Sequence, residues 1–329
     1  MLQEKEFRAF LVSRNADESL QQFSVALIDD FSQKIAAKGF IFPDPLREDI
    51  RYYSQHYIAG TYDAYERIVA LARYCRFIGH EAGLTYLVTM CGTIGVLESM
   101  EARMKIILGN DEAEKILRAL EKPPLGSVYE AYPPVVSAFL SSMQKSVPEN
   151  TCKKILAGNH HGIPLEHFER DKEMYYTLGS MDGYLRFRHT SMLEEMETCM
   201  NENRLWYEQK ITPDVLEFVR ANQEIQAGIR EGNRVYITKI PYNPVQFLVS
   251  KDVRDKRFHA CHCPFVRSSI QDDSIHVSPM WCYCTGGFEK TPFDVIFGKE
   301  LEVTVLETVL GGNERCRFAV TLPEDAYLR

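Results

Sequence analysis

The 329-residue chain lacks most of the short motifs that announce a particular chemistry. There is no Gly-x-Gly-x-x-Gly after a strand, no phosphate loop, no His-Glu-x-x-His and no Gly-x-Ser-x-Gly. These absences weigh against a nucleotide-dependent enzyme or a serine hydrolase. No long basic patch occurs and the net charge is −8, which argues against a nucleic-acid partner. The longest apolar runs, such as Leu84 to Val88, are far too short to cross a bilayer. The opening Met1-Leu-Gln-Glu-Lys-Glu-Phe-Arg has no apolar signal core, so the expected location is the cytoplasm.

What is present is an ordinary globular composition, 45% hydrophobic and 26% charged. The length exceeds that of one typical domain, so two are expected. The nine cysteines would stay reduced in the cytoplasm, where clustered thiols more often bind metal than pair as disulfides.

Residues 1 to about 134 read as a helical domain. Leu20, Phe23, Leu27, Phe31 and Ile35 recur at three- and four-residue steps, which places them on one helical face. Gly39 stops that helix, and Pro43 and Pro45 mark the connection to the next. Pro123-Pro124 and Pro133-Pro134 bracket a connector and suggest a boundary near residue 134. Residues 135–329 then begin with helices, Thr212-Pro213 being a capping hydroxyl followed by a first-turn proline. Arg234 to Ile240 and Leu301 to Leu306 read as strands. Gly311-Gly-Asn ahead of Cys316 to Leu322 signals a hairpin. The expected class is α+β: a helical N-terminal domain and a C-terminal module with a small antiparallel sheet within 230–323.

Five of the nine cysteines, Cys261, Cys263, Cys282, Cys284 and Cys316, fall in one stretch of the C-terminal module. If both Cys-x-Cys pairs are extended, each presents two thiols to one side, with His262 and Tyr283 turned away. Four thiolates suit zinc, with iron the alternative. The competing reading is that buried thiols are small hydrophobes. Trp281, Tyr283, Phe288 and Phe293 would line an apolar cavity or form core. Arg267 would bind a carboxylate or serve as an internal salt bridge. His160-His161 reads as a surface turn.

Cys-x-Cys-x-Gly-Gly-Phe at 282–288, Phe-Gly-Lys-Glu-Leu-Glu-Val at 297–303, Glu307 and Gly-Gly-Asn-Glu-Arg-Cys-Arg-Phe at 311–318 resemble the 4-vinyl reductase domain. Residues from about 140 also resemble an uncharacterised bacterial family with Cys-His-Cys-Pro and Cys-Tyr-Cys motifs. The first resemblance implies a fold similar to the vesicle-tethering Bet3 proteins, with a pocket for small or hydrophobic ligands. It also implies zinc held by Cys282 or Cys284, Glu307 and Cys316. The family's third ligand position falls on Leu310, which has no donor atom, so Cys261 or Cys263 would have to fill the gap.

The leading expectation is therefore a small-molecule-binding or sensory protein with a structural metal site, its ligand small and apolar or aromatic. The first rival is an enzyme with an open metal position or with Cys284 as nucleophile, activated by the helix start at Gly286-Gly287. The second is a scaffold that forms a homodimer through its N-terminal helices.

Overall fold

The computed structural model describes residues 3–39, 47–118 and 120–327. The connection at Pro43 and Pro45 lies outside them. The chain separates into two compact units, Met1–Ile94 with Lys122–Tyr132, and Gly95–Glu121 with Pro133–Arg329.

The first unit contains α1 (Glu4–Ser13), α2 (Glu18–Ala36), α3 (Arg47–Tyr53), α4 (Ala64–Phe77) and α5 (Glu81–Cys91). The Asp17 carboxylate accepts from the Leu20 amide at 2.8 Å and starts α2. Leu27, Phe31 and Ile35 are buried among Phe7, Leu71 and Tyr74, while Leu20 and Phe23 are partly covered. One turn of π-helix, Ser54–Ile58, follows α3, and the Tyr53 hydroxyl donates to Asp30 at 2.6 Å.

The stretch Glu81–Leu108 is, by length and hydropathy, the one membrane-span candidate among the described residues. Gly95, at φ +76°, forms part of a turn that divides it into α5 and α6 (Val96–Leu108), of 11 and 13 residues. Each is shorter than the roughly 20 residues a crossing helix needs.

The second unit holds α6, α7 (Asn110–Leu117), α8 (Tyr132–Ser146), α9 (Glu149–Leu156), α10 (Glu169–Leu178), α11 (Met181–Asn201) and α12 (Pro213–Arg220). Strands β1 (Ile229–Glu231) and β2 (Arg234–Thr238) come next, then α13 (Pro244–Val249), α14 (Val253–Ala260), α15 (Tyr283–Phe297), β3 (Glu302–Glu307) and β4 (Arg317–Thr321). The sheet is antiparallel throughout, in the order β1-β2-β4-β3. The class is α+β, with the hairpin of β3 and β4 where Gly311-Gly-Asn places it.

The units do not divide at the proline pair alone, as the expected boundary at 134 would have it. Residues 95–121 belong to the second unit, where Arg103 donates to the Lys154 carbonyl at 2.8 Å and pairs with Glu300. Prolines mark where the chain bends, whereas the apolar face of α6 (Met100 and Met104, both fully buried) decides which core it joins.

Helix α15 is the spine of the C-terminal module. It starts at Tyr283, ahead of Gly286-Gly287, and Gly298 ends it at φ +62°. A Cβ on Gly286 would meet Val303 of β3 at 3.3 Å. One on Gly287 would stand 2.5 Å from the Gly158 carbonyl oxygen. The pair therefore lets one helix press on the sheet and on the backbone after α9 at once.

Candidate functional site

The structure divides the cysteine-rich stretch into two neighbouring groups. Cys261 ends α14 in extended backbone. The Cys261 and Cys263 thiols act on each other electrostatically, while His262 turns to the Ile240 carbonyl at 2.6 Å. For Cys282 and Cys284 the expected extended geometry is replaced by a helix. Cys282 closes a single 3-10 turn, Pro279–Cys282, and Cys284 lies in the first turn of α15. A helix advances about 100° per residue, so side chains two apart diverge. Cys282 consequently lies within electrostatic reach of Cys261, Cys263 and Cys316, whereas Cys284 acts on Cys263 and faces His161, with Sγ 3.9 Å from Nε2.

Four thiols, on Cys261, Cys263, Cys282 and Cys316, form the first group. Cys282 is within electrostatic reach of the other three, and Cys316 is also within reach of Cys261. Two of these sulfurs accept a hydrogen bond, Cys263 from Trp281 Nε1 at 3.2 Å and Cys316 from the Val309 amide at 3.5 Å.

Burial is the main influence on all four. It raises Cys261, pushes Cys263 and Cys282 well above an ordinary thiol, and takes Cys316 up to about 12. Cations oppose it. Arg267 and Arg257 lower Cys261, and Lys239 lowers Cys316. Arg257 donates to the Val309 carbonyl at 2.7 Å, and the Lys239 amide donates to the Cys316 carbonyl at 2.9 Å. These bonds tie the cationic residues to the turn that carries the sulfurs. At neutral pH the four thiols are protonated, and a charged form needs a further cation beside them.

Among the described residues, no group of three or more His, Cys, Asp or Glu side chains is placed so that it could hold a metal ion. Glu307, the strand ligand implied by the 4-vinyl reductase resemblance, is committed elsewhere. It accepts a two-pronged pair from Arg315 at 3.0 and 2.8 Å. That pairing holds its carboxyl below the usual range.

The second group surrounds Cys284, whose thiol is pushed up to about 12 by burial despite the nearby Lys239 charge. Lys239 pairs with the buried Glu289 at 2.6 Å and lies over the Phe288 ring at 4.5 Å. His161 meets the same ring edge-on and is held neutral first by burial and then by Lys239. A protonated thiol beside a neutral imidazole is a resting pair, so the activation of Cys284 by a helix N-terminus is overcome by desolvation. The adjacent His160 is buried, with Nδ1 3.1 Å from Ser99 Oγ and Nε2 2.8 Å from the Ile155 carbonyl. The expected surface turn is thus half interior.

The ligand-lining candidates are structural in their contacts. Trp281, 1% exposed, packs against Phe139 and Phe265. Phe293 is fully buried, and Tyr283 is buried with Lys153 over its ring. Phe288 is half-buried between Lys239 and His161. Arg267 is buried between the Tyr242 and Phe258 rings and donates to the Phe258 carbonyl at 3.0 Å. Lys239, Glu289 and Arg257 carry no motif in the sequence. The signal for Lys239 and Glu289 was a charge inside otherwise apolar strand and helix patterns.

A family model of unknown function, DUF6144, matches residues 245–327, a span that includes all five of these cysteines. No curated protein and no solved structure is similar to the chain.

Proposed function

We propose that the C-terminal module is a non-enzymatic, cytoplasmic binding module that takes up a soft metal ion, zinc first and iron second, through Cys261, Cys263, Cys282 and Cys316. One observation carries this reading: four desolvated sulfurs from three separate segments act on one another electrostatically, two of them accept a donated hydrogen, and Arg257, Arg267 and Lys239 act on them as cations. Neutral buried thiols need no such donors, whereas thiolates gathered by a cation do, and outer hydrogen bonds strengthen such sites. Because the sulfurs do not stand as a ready cage, uptake draws them together. The irregular backbone at 261–266 and 308–316 is where the chain can yield. Four protein thiolates leave no open position, which suits a structural role. The role for the bound ion is to fix the β3–β4 turn against the start of α15.

The reading is tested by metal analysis of protein produced in zinc- and iron-supplemented medium. About one equivalent of metal per chain is expected, falling several-fold in Cys261→Ser and Cys316→Ser and unchanged in Glu307→Ala and Cys284→Ser. Chelation should lower the melting temperature, since metal binding contributes folding free energy. Less than about 0.2 equivalents in the wild type would overturn the proposal, one ion per chain being its premise.

A further inference from the structure

Arg188, on α11, carries a partly covered guanidinium. Its Nη1 is inaccessible to solvent and meets no acceptor. The group lies over the Phe293 ring, with Cζ 5.9 Å from the centroid. Phe293 is fully buried and packs edge-on against Tyr184, so the floor beneath the guanidinium is fixed. Two carboxylates stand nearby, and both are engaged by other donors. Asp171 accepts the Tyr184 hydroxyl at 2.7 Å, and Glu195 accepts Trp206 Nε1 at 3.1 Å.

Tyr207 lies in the loop after α11, its ring 4.9 Å from that of Trp206, which donates to Glu195 two turns along the helix from Arg188. The Tyr207 backbone adopts φ +51°, a left-handed conformation that costs a bulky residue energy and concentrates at ligand clamps. Tyr207 is 77% exposed. Its hydroxyl is raised above the ordinary tyrosine range mainly by burial, with Glu195 adding to that and Arg188 opposing it. The ring therefore faces solvent next to the helix that carries Arg188.

We propose that Arg188 is the anchor of a binding site for a small aromatic carboxylate. The ligand carboxylate supplies the missing acceptor in the two-pronged geometry a guanidinium favours, and its ring lies against Tyr207. Leaving a buried charged donor unmet is costly, and an acceptor brought by a ligand relieves that cost. This site is separate from the thiol cluster, and its test does not depend on metal.

The experiment is a thermal-shift titration of the full chain with benzoate, alongside acetate and inorganic phosphate. Benzoate at ten times its dissociation constant should raise the melting temperature by about 3 °C. Arg188→Gln should weaken benzoate binding on the order of 30-fold, while folding at least as stably as wild type without ligand. Tyr207→Ala should weaken benzoate binding and leave any acetate binding unchanged. An equal shift with phosphate, or an undiminished benzoate shift in Arg188→Gln, overturns the proposal, as does no shift in wild type.

Discussion

Replacing Lys239 with methionine should show how much the ion pair beside the thiol cluster contributes. Lys239 Nζ stands 2.6 Å from Glu289 Oε1, and the two side chains retain only 10% and 1% of their accessible surface. Methionine keeps the apolar stem over Phe288 and removes the charge, so the loss is electrostatic rather than a cavity. Glu289 is then a buried carboxylate without its cation, and removing one partner of such a pair costs about 3 kcal/mol or more. For a unit of this size that lowers the melting temperature by about 6–12 °C. The double variant Lys239→Met/Glu289→Met removes both charges and should recover most of the loss, giving a coupling of about 2 kcal/mol. Urea unfolding of wild type, both single variants and the double variant measures the cycle. A Lys239→Met cost below about 1 kcal/mol, the level of an exposed pair, would refute the argument. So would a double variant as unstable as the two single losses added together. Because the Lys239 charge also favours the thiolate of Cys316, metal uptake should weaken in Lys239→Met alongside stability.

Two further outcomes are expected. His160 is held neutral in the fold, its pKa taken down to about 4 mainly by burial. A folded value below the unfolded one means the unfolded chain binds the extra proton, so this contribution is whole above about pH 6.5 and is lost as pH falls towards 4. The loss amounts to about 3 kcal/mol. His160→Gln should flatten the urea-midpoint slope between pH 6.5 and 4, and an unchanged slope counts against the assignment. Gly287→Ala gains about 1 kcal/mol of helix propensity, yet its methyl meets the backbone of residues 157–158, which cannot move aside as a side chain could. A net loss of about 2 kcal/mol is expected, and a stabilised variant would show that the approach of α15 to α9 is looser than the coordinates place it.

Much of the fold was legible along the chain because it rests on local rules. The spacing of Leu27, Phe31 and Ile35 set the buried face of α2, and Gly311-Gly-Asn set the turn between β3 and β4. The α+β class followed from the order of helical and strand patterns. Two kinds of feature were not legible. The assignment of α6 and α7 to the second unit depends on which core covers Met100 and Met104, which neighbouring prolines do not encode. The parting of Cys282 from Cys284 turns on whether that segment is helical or extended. The two glycines at 286 and 287 read as a helix start, but tertiary packing drew the helix back to Tyr283, because only glycine lets α15 approach both β3 and residues 157–158.

The sequence by itself determined the supply of chemistry: five cysteines close along one stretch, two Cys-x-Cys pairs and a hairpin to return the last thiol towards the first. Only the tertiary structure decided the groupings. Cys316 comes within electrostatic reach of Cys261 as the chain enters β4 between β2 and β3, Glu307 is taken by Arg315 across the hairpin, and Arg188 Nη1 is left buried without an acceptor. Such groupings are contacts between residues far apart in the chain, fixed by burial and competition for hydrogen-bond partners, and neither is written in local spacing.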